Sequence, residues 1–176
     1  MLNESKKSLV QQAESAFEEN IPQKERADYD RTVLAGMKLM NDENTHANMQ
    51  LVKNPNARND IPKTVSTGIA GLVYILYTES GKSTGTPTMR PETGVLAGLC
   101  LMFKALDMAE RGLGIEITND ILSATTEKTS EEILKKFGVT QEDMQKAVAQ
   151  SESGATQNQQ QPPPQGDQPQ SGLLGA

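Results

Sequence analysis

The chain has 176 residues, enough for one domain of ordinary size, and it carries a net charge of −6 without any basic stripe. Direct binding to duplex nucleic acid is therefore not expected, because it requires clustered Lys and Arg side chains. Aromatic residues are scarce, whereas Leu, Ala and Met are frequent, which predicts an all-α fold rather than a large β domain. Residues 1–20 lack the apolar core of a secretory signal, which predicts a protein made in the cytoplasm.

The first part of the chain predicts two helical stretches. Residues 3–19 place apolar side chains at helical spacing and end at Asn20-Ile21-Pro22. Residues 23–53 contain one Gly and no Pro. They predict either one long helix or two helices with a break near residues 41–44.

Residues 62–112 predict a hairpin of two apolar helices, which we expect to form the centre of the fold. The first arm follows Asp60, with Pro62 in its first turn, and has no charged residue between Thr64 and Thr78. Tyr74, Ile75 and Tyr77 widen its apolar face, and a strand over residues 72–77 remains an alternative. The second arm begins at Pro91 and ends at Gly112.

Both arms of the hairpin carry two glycines at a spacing that favours close packing: Gly68 and Gly71 in the first, Gly94 and Gly98 in the second. If the two pairs face each other, the backbones can approach closely, as in contacts between membrane helices. The alternative is that these glycines relieve crowding in a helical bundle.

The C-terminal part predicts further helix and then a tail. Residues 118–137 predict one helix, or two if the polar stretch SATTEKTS divides it. Thr140 and Asp143 have the spacing of a capping box, so a last helix is expected to fade near Gln150. The prediction is thus a domain of five to six helices over residues 1–150.

Residues 151–176 are rich in Gln and Pro and predict a disordered tail. Leu173 and Leu174 form the only apolar pair after Val148. They are either a peptide that docks on a partner or a chain end without a role.

The chemistry-bearing residues do not form a recognisable catalytic or ligand-binding motif. Gly81-Lys82-Ser83-Thr84 has the ending of a phosphate-binding loop, but Leu76 stands where that motif requires a glycine. His46, the only histidine, has no partner at metal-ligand spacing, and Cys100 lies in an apolar run, as a small buried side chain would. The sequence therefore predicts a protein that is not an enzyme and has no cofactor and no metal.

Two stretches of the chain carry a resemblance to a known class of proteins: the apolar hairpin "TGIAGLVYILY…TGVLAGLCLMFKAL" and the tail "QQQPPPQGDQPQSGLLGA". The chain resembles the small internal virion proteins of short-tailed bacteriophages, which are stored in the capsid and ejected into the host envelope. There they help to form a conduit for DNA. The resemblance implies other virion proteins as partners, a homo-oligomer, contact with the host membrane and location in the virion, but it assigns no residue roles.

The uncharged run Thr64–Thr78 would form a helix of about 22 Å, shorter than the roughly 30 Å of a bilayer core. The hairpin would therefore have to open and oligomerise in order to insert. The alternative function is a soluble helical adaptor or chaperone-like module that holds a partner helix in an apolar groove.

Overall fold

The computed structural model describes residues 7–42, 55–82, 85 and 88–139. Over these residues the all-α prediction is confirmed by five α-helices: α1 (Leu9–Glu19), α2 (Arg26–Met40), α3 (Ile61–Ser80), α4 (Pro91–Leu113) and α5 (Asn119–Lys136). A 3-10 helix, Pro55–Asp60, leads into α3. The alternative strand over residues 72–77 is wrong, because this stretch belongs to α3.

Several predicted features lie outside the described residues. These are the chain around His46, the helix after Thr140, the boundary near Gln150, and the tail with Leu173 and Leu174.

Short local signals set the helix boundaries. Ser8 and Gln11 form a capping box at the start of α1, in which each side chain accepts a hydrogen bond from the backbone N–H of the other residue. The Thr118 hydroxyl accepts from the N–H of Ile121 at the start of α5. Gly114 ends α4 in the left-handed conformation, with a φ of 63°.

The polar middle of α5 does not divide the helix. The Thr125 and Thr126 hydroxyls donate to carbonyls one turn earlier, at 2.5 Å and 2.8 Å. These bonds satisfy the two hydroxyls within a continuous helix.

Helix α4 lies at the centre of the bundle and packs against the other four helices. Its Leu101, Met102 and Leu106 side chains are completely buried. Helix α1 packs chiefly on α4: the Phe17 and Phe103 ring centroids are 5.6 Å apart. The predicted hairpin is thus present, but α3 makes its most extensive contact with α5 rather than with α4.

The glycine pairs of α3 and α4 do not face each other. A Cβ on Gly98 would lie 2.2 Å from Ile133 Cδ1, and one on Gly94 would lie 2.6 Å from the Phe137 ring, so α4 approaches α5 closely at both positions. A Cβ on Gly68 or Gly71 would meet no atom of the described residues within 4 Å. Among the described residues, therefore, the α3 pair does not pack against the α4 pair or against another helix, and its helix-packing role stays a prediction.

Close packing also occurs at a glycine that the sequence did not single out. A Cβ on Gly36 in α2 would lie 2.5 Å from Leu101 Cδ1. This glycine lets α2 approach the central helix α4.

Candidate functional site

One side of α3 is turned away from the bundle and carries no charged side chain. The residues on this side span about 120° of the helix circumference, at 3.6 residues per turn. We call this surface the outer α3 face, and it consists of Thr64, Thr67, Gly68, Gly71, Tyr74, Ile75 and Thr78. All seven residues are exposed or half-buried.

Two large side chains project from the outer α3 face. Ile75 is 50% exposed and Tyr74 is 42% exposed, although the sequence pattern had placed both on a widened apolar core face. Lys136 Nζ lies 5.6 Å from the centroid of the Tyr74 ring, and the Tyr77 ring stacks on it at 6.4 Å. Tyr74 thus has ring contacts with Lys136 and Tyr77, whereas a Cβ on Gly68 or Gly71, on the same face, would meet no described atom within 4 Å.

A second candidate is a polar cluster between α1 and α4. Glu14 and Glu18 are one turn apart on α1 and face Cys100 and Lys104, which are one turn apart on α4. Lys104 Nζ lies 2.5 Å from Glu14 Oε1, and the Cys100 thiol donates to Glu18 Oε1 at 3.9 Å.

Three possible metal-ligand atoms of this cluster, from Glu14, Glu18 and Cys100, lie within 4.8 Å of one another. The Lys104 ammonium group already supplies a positive charge at Glu14, and this contact with Glu14 raises the pKa of Lys104. We therefore interpret the cluster as a link between two helices rather than as an open metal site.

Tyr29 of α2 lies next to the buried Cys100. Its side chain is 3% exposed, and its hydroxyl has no partner with hydrogen-bonding geometry among the described residues. Burial, with a further effect of the nearby thiol, raises the pKa of Tyr29 far above its ordinary value. Burial also raises the pKa of Cys100, so the thiol is protonated at neutral pH and is a poor nucleophile. The arrangement agrees with the prediction that Cys100 is a small buried side chain.

A buried acid connects the α1–α2 turn to the start of α4. Glu25 is 4% exposed; its carboxylate accepts hydrogen bonds from the Arg90 guanidinium group and from the Thr93 hydroxyl, the latter at 3.1 Å. Sequence reasoning missed this residue, because Glu25 stands in a charged stretch and looks like a surface acid.

The described part of the GKST segment does not have the geometry of a phosphate-binding loop. Leu76 is buried within helix α3, so a helix stands where the strand before such a loop would be. Lys82 is exposed and pairs with Glu79 at 2.5 Å. The next helix, α4, begins only at Pro91. These features agree with a polar connector between two helices.

Comparison with known proteins gives no match: no family model fits the chain, and neither the curated proteins nor the solved structures contain a significant relative. Among the helices in the described ranges, none has the length and apolar character needed to cross a membrane. The described residues form an all-α fold in which one face of α3 is accessible and uncharged.

Proposed function

We propose that the protein is a non-enzymatic structural component of a bacteriophage virion that assembles with other virion proteins. In this proposal it also helps to form the conduit through which DNA crosses the host envelope. The observation that supports this proposal most is the outer α3 face. It presents four helical turns without a charge and exposes Tyr74 and Ile75 next to two glycines. Such a surface favours packing against another helix over contact with water.

The dimensions of the face favour a protein partner over a lone membrane insertion. The stretch from Thr64 to Thr78 is about 22 Å long along the helix axis, less than the roughly 30 Å of a bilayer core. In a conduit, this face would pack on neighbouring protein, and the assembled helices together would meet the lipid.

The direct test is mass spectrometry of purified particles produced from the genome that encodes the chain. We expect the protein in the particles at a fixed copy number, and we expect Ile75→Asp to reduce its incorporation. Leu34→Asp is the matched control, because Leu34 is 59% exposed but lies on α2. The proposal is overturned if the protein is abundant in the producing cells but absent from the particles.

The alternative is a helical adaptor or chaperone-like module, and the same exposed Tyr74 and Ile75 favour it as a surface for a partner helix. Flotation with vesicles of phosphatidylethanolamine and phosphatidylglycerol separates the two functions. A conduit protein should float with the vesicles when it is mixed with its virion partners, whereas an adaptor should stay at the bottom of the gradient.

A further inference from the structure

We propose that α1 is a lid on the bundle: it opens from α4 while the other four helices stay packed, and its opening uncovers the thiol of Cys100. Among the described helices, α1 makes an extensive contact only with α4, whereas α2, α3 and α5 each pack against at least two others. A helix with few neighbours can open at a lower free energy than is needed to unfold the whole domain.

The apolar part of the contact between α1 and α4 is small. Val10 is the one buried residue of α1, whereas α2 has four and α5 has three. Ala13 and Phe17 are half-buried, and Phe17 packs on Phe103 of α4. Because burial of apolar surface is the main favourable contribution to helix packing, little of it holds α1 in place.

The rest of the contact is a ladder of polar pairs that follows three turns of each helix. The pairs are Gln11–Asp107, Glu14–Lys104 and Glu18–Cys100. Their order shows that the two helices run antiparallel in a single register. The central pair is partly open to water, since the Lys104 side chain is 37% exposed. Such pairs contribute little net free energy, because each group also loses contacts with water, so the ladder determines where α1 docks more than how tightly it is held.

The thiol of Cys100 lies under the lid. It is completely buried and donates to the Glu18 carboxylate of α1. Phe17 of α1 also packs against the buried cluster that contains Cys100. Opening of α1 removes both side chains, while Tyr29 of α2 stays beside the thiol. The closed lid therefore keeps the thiol unreactive, and the open lid gives reagents access to it from one side.

The rate at which N-ethylmaleimide labels the native full-length chain, measured by mass spectrometry, reports the opening, because Cys100 is the only cysteine. Opening of one short helix exposes far less surface than unfolding of the domain, and the effect of urea scales with the exposed surface. We therefore expect labelling that is faster than global unfolding in water and that changes little with urea below the unfolding transition.

Two variants test the ladder. Glu14→Gln breaks the ion pair with Lys104 and should raise the labelling rate about threefold to tenfold. Asp107→Ala removes the acceptor of Gln11 and should also raise the rate. Residue 107 is about 10 Å from residue 100 along α4, so an effect at this distance shows that α1 opens as a unit.

The matched control is Ile133→Val in α5. It shortens a completely buried side chain and lowers the stability of the whole domain, but Ile133 stays packed whether the lid is open or closed. We expect this variant to be labelled at the wild-type rate in water.

The proposal is overturned if Cys100 reacts no faster than the domain unfolds, if Ile133→Val raises the labelling rate as much as Glu14→Gln, or if Asp107→Ala leaves the rate unchanged. These measurements use the isolated protein, so their outcome is independent of whether the chain is present in virus particles.

Discussion

Replacing Gly98 by alanine should destabilise the domain relative to the same replacement at Gly71. Alanine is better than glycine inside a helix by about 0.5–1 kcal/mol, and both variants receive this gain. At Gly98 the new methyl group would lie 2.2 Å from Ile133 Cδ1 and 3.2 Å from Val73 Cγ2, both on completely buried side chains. Overpacking of this kind costs about 1–3 kcal/mol, so the two variants should differ by about that amount.

Urea denaturation followed by circular dichroism measures both free energies of unfolding. In thermal melts, the same difference should appear as roughly 2–12 °C. The double variant Gly98→Ala/Ile133→Val removes the atom that the new methyl group meets, so it should recover part of the loss. If Gly98→Ala unfolds at the same denaturant concentration as Gly71→Ala, α5 does not confine α4 at this position.

Four other outcomes follow from the contacts described above. Raising the pH above about 10, the ordinary pKa of tyrosine, should lower the free energy of unfolding, because the buried Tyr29 has a raised pKa and stays protonated in the folded state while the unfolded phenol ionises. Tyr29→Phe should reduce this loss in pH-dependent melts. Arg90→Ala should lower the free energy of unfolding, measured by urea denaturation, by about 1–3 kcal/mol, because it removes the charged partner of the buried Glu25. Lys82→Ala breaks an exposed pair and should lower it by less than about 1 kcal/mol. Calorimetric titration with ATP and magnesium should show no binding, and a micromolar affinity abolished by Lys82→Ala would contradict this. Truncation after Gln150 should leave the circular dichroism and melting temperature unchanged, and loss of the fold would show that the tail packs on the domain.

The sequence predicts the helices well because the signals that start and stop them are local. Pro91 opens α4, Gly114 follows its end, and Thr118 caps α5 within a few residues of the predicted positions. Each signal acts through the backbone of its own turn, so no knowledge of the rest of the fold is needed.

The side of a helix that meets the bundle is not encoded locally. The glycine pairs of α3 and α4 look equivalent in the sequence, yet among the described residues side chains pack over Gly94 and Gly98 and none packs over Gly68 and Gly71. The difference comes from Ile133 and Phe137, which are more than thirty residues away in the chain.

The outer α3 face could not be predicted from the sequence, because its exposure also depends on how other helices pack. The uncharged run of α3 is compatible with burial on every side, but the described helices that pack on α3 leave Tyr74 and Ile75 exposed. The absence of charge predicted an apolar element correctly, but the exposure of Ile75 depends on tertiary packing.

The reliance of α1 on α4 has a consequence for the order in which the nascent chain folds. Gln11 on α1 donates to Asp107 on α4 at 3.2 Å, across 96 positions of sequence. At a synthesis rate of roughly 5–20 residues per second, α1 is complete about 5–20 s before this partner has been translated. During that interval Phe17 lacks the Phe103 ring against which it packs, so α1 can join the bundle only after α4 has been translated.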